Sequence, residues 1–183
     1  MKETSIIISG FGGQGTLFSG QVLAYTAMDN GLEVTWIPSY GPEMRGGTAH
    51  CTVILSEERI GSPLVGSPDI VLALNLPSVD KYETLMPAGG TLIANSSLVN
   101  REIERENITS LLIPANKIAE ELGMSRLANM IMVGAMIKLR PILTLEMVKA
   151  GLDKHIPERH RKTLPINFEA MDKGYAFAEE ALN

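Results

Sequence analysis

The sequence predicts an α/β fold: three α/β/α layers about a mostly parallel sheet, with a mixed sheet as the allowed variant and a Rossmann-like start. Three observations carry this. Short β-branched runs alternate with segments of helical apolar spacing over the first 113 residues, a G-x-G-x-x-G turn joins the first run to the first helical segment, and everything after Pro114 reads as helix.

Residues 5–9, Ser-Ile-Ile-Ile-Ser, form a β-branched run that ends at glycines, as a parallel strand buried on both faces does. Residues 14–28 are largely free of breakers and place Leu17, Gln21, Ala24 and Met28 at helical spacing before Asn30-Gly31 stops the run. Residues 33–37 give a second strand, which Pro38 and the following Gly41-Pro42 are expected to end. Residues 48–55, 69–74, 90–95 and 109–113 give four more strands, with a short helix over 78–85. Helices follow over 115–122, 128–139, 144–154 and 167–182, the last with Phe168, Met171, Tyr175, Ala178 and Leu182 on one face. A length of 183 residues and 45% hydrophobic content fit one domain over residues 1–183, and no internal repeat or low-complexity segment argues otherwise.

Composition excludes several classes. The net charge of −5 provides no basic field for nucleic acid, since Lys and Arg are dispersed apart from Arg159, His160, Arg161 and Lys162. Cys51 is the only cysteine, so an iron–sulfur cluster or a thiolate zinc site must belong to another chain. The N-terminus lacks the h-region of a signal peptide, and the most apolar stretch, 127–137, falls short of the roughly 20 residues that cross a bilayer. A cytoplasmic protein with a buried helix at 127–137 is expected.

Gly10-Phe11-Gly12-Gly13-Gln14-Gly15 sits between strand and helix, where glycines allow a tight turn and close backbone approach to a phosphate. Close strand-to-helix packing demands the same spacing, so both readings stand. The second strand ends without the Asp or Glu that would hold a dinucleotide ribose, which disfavours NAD. Ser39-Tyr40-Gly41-Pro42-Glu43-Met44-Arg45-Gly46-Gly47 brings a phenol, a carboxylate and a guanidinium to the expected C-terminal edge of the sheet. There Arg45, oriented by Glu43, grips a carboxylate or phosphate, or else the two form a surface pair that holds their own loop. Asn75 and Asn95 follow strands toward the same edge as helix caps, turn formers or ligand contacts. Asn129, inside an apolar helix, requires a buried partner. His50, His155 and His160 have no metal-site spacing, and they and Cys51 read as packing or surface residues. G-x-S-x-G, H-E-x-x-H and a Lys-Ser/Thr pair after the glycines are all absent.

The glycine turn together with Tyr40-Gly41-Pro42-Glu43-Met44-Arg45-Gly46-Gly47-Thr48-Ala49 resembles the gamma subunits of the pyruvate, 2-oxoglutarate and 2-ketoisovalerate ferredoxin oxidoreductases. The likeness continues through Pro68-Asp69-Ile70-Val71, Asn75-Leu76-Pro77 and Asn129-Met130-Ile131-Met132-Val133-Gly134-Ala135. The resemblance implies a complex that oxidatively decarboxylates a 2-oxoacid, passing the acyl group to coenzyme A and electrons to ferredoxin. It implies that thiamine diphosphate, Mg2+ and iron–sulfur clusters reside with alpha-, beta- and delta-type partner subunits, this chain alone binding no cofactor. Gly10, Gly12, Gly13, Gln14, Gly15, Tyr40, Gly41, Glu43, Arg45, Gly46, Gly47 and Asn75 are then the residues expected to face the active site or coenzyme A, with none catalytic. Without a ferredoxin-like cysteine motif the chain resembles the stand-alone gamma form rather than a gamma-delta fusion. An indolepyruvate oxidoreductase beta subunit and a free-standing nucleotide-binding protein are the alternatives.

Overall fold

A computed structural model describes residues 3–40 and 48–182, with the side chain of Tyr40 outside the description. Six strands, β1 (Thr4–Phe11), β2 (Glu33–Tyr40), β3 (Thr48–Ser56), β4 (Ile70–Ala73), β5 (Thr91–Asn95) and β6 (Thr109–Ile113), form one sheet in the order β2-β3-β1-β4-β5-β6. Its helices are α1 (Thr16–Asp29), α2 (Leu76–Tyr82), α3 (Ala115–Glu121), α4 (Ala128–Leu139), α5 (Leu145–His155) and α6 (Leu164–Ala181). Short 3-10 turns, Ser125–Leu127 and Glu158–Thr163, lead into α4 and α6.

The sheet is mixed, and β3 alone runs against the others. β1, β4, β5 and β6 pair in parallel, whereas β3 is antiparallel to both β1 and β2. The cause is chain length: a parallel return needs a crossover of a dozen or more residues, and only residues 41–47 join β2 to β3. β1 is therefore not the purely parallel strand its composition predicts, and β3 separates it from β2. A second correction concerns Pro38, which does not end β2. It pairs with Cys51 inside a strand that continues to Tyr40, and it is tolerated because β2 is an edge strand, where a missing N–H breaks no second ladder. Boundaries also move: α1 begins at Thr16 rather than Gln14, α2 at Leu76 rather than Ser78, and α6 at Leu164 rather than Asn167, with Pro165 in its first turn.

The helices load the two faces unequally. Ile6, Ile8, Cys51, Val53 and Leu72 turn toward α1, α4, α5 and α6 in the larger core, and residues 128–137 of α4 are buried throughout. The apolar stretch at 127–137 is thus a core helix, and no described helix is long and apolar enough to cross a membrane. Ile7, Val71 and Ala73 face the other way, under Val79 and Tyr82 of α2 together with Met86 and Val99. α4 and α6 cross in near contact because Gly134 lies against the backbone of Met171 and Gly174 against that of Ile131.

The register fixes what meets at the C-terminal edge. Tyr40 pairs with Ala49 and Ala49 with Gly10, so the tips of β2 and β1 and the start of β3 form one row. Leu74 donates its N–H to the Ser9 carbonyl at 2.8 Å, which brings the end of β4 beside that row.

Candidate functional site

The glycine turn is built by conformations that side chains resist. Gln14 N–H donates to the Phe11 carbonyl at 3.2 Å, closing a turn over Gly12 and Gly13 in which Gly13 takes φ 95°. Gly15, the N-cap of α1, takes φ 79° and ψ 17°. A Cβ on Gly15 would stand 2.5 Å from Asn129 Nδ2, so this glycine is required both for its angle and for its closeness to α4. Gln14 folds back over the turn: its Oε1 accepts from the Phe11 N–H at 2.5 Å, and its Nε2 donates to the Leu74 carbonyl at 3.4 Å.

Asn129 binds the turn to the core. Its Nδ2 donates to the Gly15 carbonyl at 3.2 Å and to Ser19 Oγ at 2.9 Å, the buried partner that its position in an apolar helix requires.

Beside the turn opens a cavity of about 420 Å³ whose lining includes Gly13, Gly15, Arg126, Asn129, His160 and Asn167. These residues come from the N-terminal ends of α1, α4 and α6. No side chain caps any of the three helices, and none carries an acidic residue in its first turn. Only α1 starts as a free helix end there, because α4 and α6 run on from the 3-10 turns Ser125–Leu127 and Glu158–Thr163, the second of which begins with Glu158. Arg126 and Arg159 make no ion pair among the described residues, while Arg101, Lys138, Lys154 and Arg161 all do. Of these two, Arg126 lines the cavity, so a chain of net charge −5 keeps one cation without an ion pair there.

Asn75 lies on the other side of the turn and caps α2, accepting from Ser78 N–H at 3.0 Å and Ser78 Oγ at 2.6 Å. Its Nδ2 is buried with no partner among the described residues, which leaves one donor at this edge unspent. Asn95 is structural: its Oδ1 accepts from Ala115 N–H and its Nδ2 donates to Asn116 Oδ1, fixing the start of α3. Burial, with the Lys81 charge behind it, holds the half-buried His50 below the usual histidine range. Burial pushes the Cys51 thiol up to about 12, against the opposing effect of Trp36, which leaves it an inert packing residue. Among the described residues no cluster of His, Cys, Asp or Glu is placed to hold a metal.

Of the residues singled out in the sequence, Gly10, Gly12, Gly13, Gln14 and Gly15 form one turn, and Asn75 reaches its flank through Leu74. Tyr40 contributes backbone to the same edge. Gly41, Glu43, Arg45, Gly46 and Gly47 lie outside the described residues. The sequence reading missed Arg126, Thr163 and Asn167, and it placed His160 among packing or surface residues although it lines the cavity. The only available signals were the buried Asn129 and the small basic cluster at 159–162.

A family model described as pyruvate ferredoxin/flavodoxin oxidoreductase matches residues 5–177. Ketoisovalerate oxidoreductase subunit VorA of Methanothermobacter marburgensis is 38% identical over 172 residues, an alignment that covers 94% of this chain and 34% of VorA. The chain thus spans about a third of that curated relative. Two solved structures superpose closely. A keto/oxoacid ferredoxin oxidoreductase gamma subunit from Geobacter sulfurreducens PCA gives a TM-score of 0.85 at 28% identity, covering 99% of both chains. A 2-oxoglutarate:ferredoxin oxidoreductase from Magnetococcus marinus, solved with 2-oxoglutarate, coenzyme A and succinyl-CoA bound, gives 0.87 at 26% identity, covering 98% of this chain and 32% of the other.

Proposed function

The chain belongs to the pyruvate ferredoxin/flavodoxin oxidoreductase family, and from that premise we propose that it is the gamma subunit of a thiamine-dependent 2-oxoacid:ferredoxin oxidoreductase, in which it seats coenzyme A. The complex oxidatively decarboxylates a 2-oxoacid: carbon dioxide leaves, the acyl group joins the coenzyme A thiol, and the electron pair passes to ferredoxin in single-electron steps. Thiamine diphosphate, held with Mg2+ by the alpha- and beta-type partners, supplies the electron sink for decarboxylation. The clusters belong to partners too, because the one thiol of this chain is buried and cannot ligate iron.

One observation carries the reading: the glycine-lined start of α1 and the Arg126 guanidinium, which makes no ion pair among the described residues, meet at one cavity. The backbone donors at the start of α1 and the Arg126 guanidinium fit the phosphates of coenzyme A, and Gly13 and Gly15 let the backbone approach them. Tyr40 and Ala49, which flank the segment 41–47, pair beside Gly10 in the sheet register, and this supports reading Tyr40, Gly41, Glu43, Arg45, Gly46 and Gly47 as part of the same site. In this reading Arg45 meets a phosphate or the substrate carboxylate. The side chain of the 2-oxoacid is recognised by the alpha- and beta-type partners.

Steady-state kinetics of the assembled complex test the seat. Arg126→Glu is expected to raise the KM for coenzyme A by about tenfold or more, the effect of setting a charge against a phosphate, and to leave the KM for the 2-oxoacid unchanged. An unaltered KM for coenzyme A contradicts it.

A further inference from the structure

We propose that residues 157–162 form a hinged strap at the wall of the cavity beside the glycine turn, latched shut by two ties, Arg161 to Asp153 and Asp29 to Lys154 and His155. The inference rests on the reading of that cavity as the coenzyme A seat. The body of α5 is fixed, since a Cβ on its Gly151 would run into Thr26 of α1. Ile156, just after α5, and Leu164, at the start of α6, are buried, whereas every residue from Pro157 to Lys162 is exposed. A segment with buried roots and nothing buried between them opens locally with ease, because its opening uncovers little apolar surface. Its place gives that opening a consequence. Ile156 and His160 line both the seat and a neighbouring cavity of about 260 Å³, and Thr163 stands in the wall of the seat as well. The strap is therefore the movable part of the wall between the two.

Ion pairs hold what burial does not. Arg161 reaches back from the strap to the end of α5, donating to the Asp153 carbonyl at 3.0 Å and to its carboxylate. The end of α5 is held in turn by Asp29, the last residue of α1, whose Oδ1 lies 2.6 Å from Lys154 Nζ and whose Oδ2 lies 2.8 Å from His155 Nε2. Tyr25 of α1 adds its ring to the same tie, stacked on His155 with centroids 4.5 Å apart and planes 17° from parallel. The hydrogen bonds from Lys154 and His155 hold the Asp29 carboxyl below its ordinary range, so this tie keeps its anion at neutral pH. Both carboxylates stand in the last turn of a helix, where the dipole disfavours negative charge, so neither stabilises its own helix. Exposed ties of this kind shift an equilibrium by a few-fold each and weaken in salt. Two of them keep the strap closed and still let it open for a ligand to enter or leave.

Hydrogen–deuterium exchange and stopped-flow binding of coenzyme A, both on the assembled complex, test the strap. The exchange reports on amides 158–164, among which His160 and Leu164 bond within the strap to the Pro157 and Arg161 carbonyls. Asp29→Ala and Asp153→Ala are each expected to speed that exchange about threefold, and together about tenfold, with the amides of α4 unchanged. In wild type, about 0.5 M salt should speed it likewise. Association and dissociation of coenzyme A should both quicken in the variants by similar factors, since a latch resists passage in either direction. If the variants exchange like wild type, or if exchange rises while both coenzyme A rates stay unchanged, the strap is no gate and the proposal is overturned; the seat still stands provided Arg126→Glu raises the KM for coenzyme A. If Arg126→Glu leaves that KM unaltered, the seat falls and the strap falls with it.

Discussion

Glu83 is a buried carboxylate outside the candidate site, and it shows how single residues hold the surroundings of that site. Burial alone would raise its pKa, but the Arg101 guanidinium and the backbone N–H groups of Arg105 and Glu104 outweigh this and hold the carboxyl below its ordinary value. The network ties the segment 101–106 to the turn after α2. Because the folded pKa is depressed, the stabilisation is complete above the unfolded carboxylate range and is lost as pH falls through the folded value. Glu83→Gln should therefore lower stability by about 2 kcal/mol at neutral pH, and denaturant unfolding should show the gap from wild type closing in acid. Gly15 makes a complementary point about legibility. Its place in G-x-G-x-x-G is visible in the sequence, but its second constraint, the Asn129 amide against its Cα, arises from a residue more than a hundred positions away.

At the level of elements, strands and helices were legible because β-branched runs such as residues 5–9 and 52–54 differ plainly from the longer helical segments such as 128–139. Strand direction was not: β3 has the composition of its parallel neighbours, and only the shortness of the 41–47 connection reverses it. The cavity was half legible, since the turn that starts α1 carries a motif, whereas the ends of α4 and α6 that complete it carry none. What aligns those ends is the crossing of α4 over α6 at two glycines. A methyl group on Gly174 would meet the Ile131 backbone, which cannot swing aside as a side chain could. Gly174→Ala is expected to cost about 3 kcal/mol or more, read as a lowered Tm, and to weaken coenzyme A binding along with stability. A Tm within a degree of wild type would show that the crossing tolerates more than its geometry implies.

Across the whole molecule, an acidic chain places Arg126 and the glycine-lined start of α1 at one cavity and keeps its only thiol inert. On the proposed reading the reactive centres lie in partner subunits, and this chain contributes the cavity that receives their anionic ligand. The most direct test is to isolate the tagged chain from its source under native conditions. The account predicts recovery of larger partner subunits carrying thiamine diphosphate and iron–sulfur clusters, in a preparation that reduces ferredoxin only when given both a 2-oxoacid and coenzyme A. A chain that emerges alone and turns over a redox substrate with its own bound nicotinamide or flavin would contradict it.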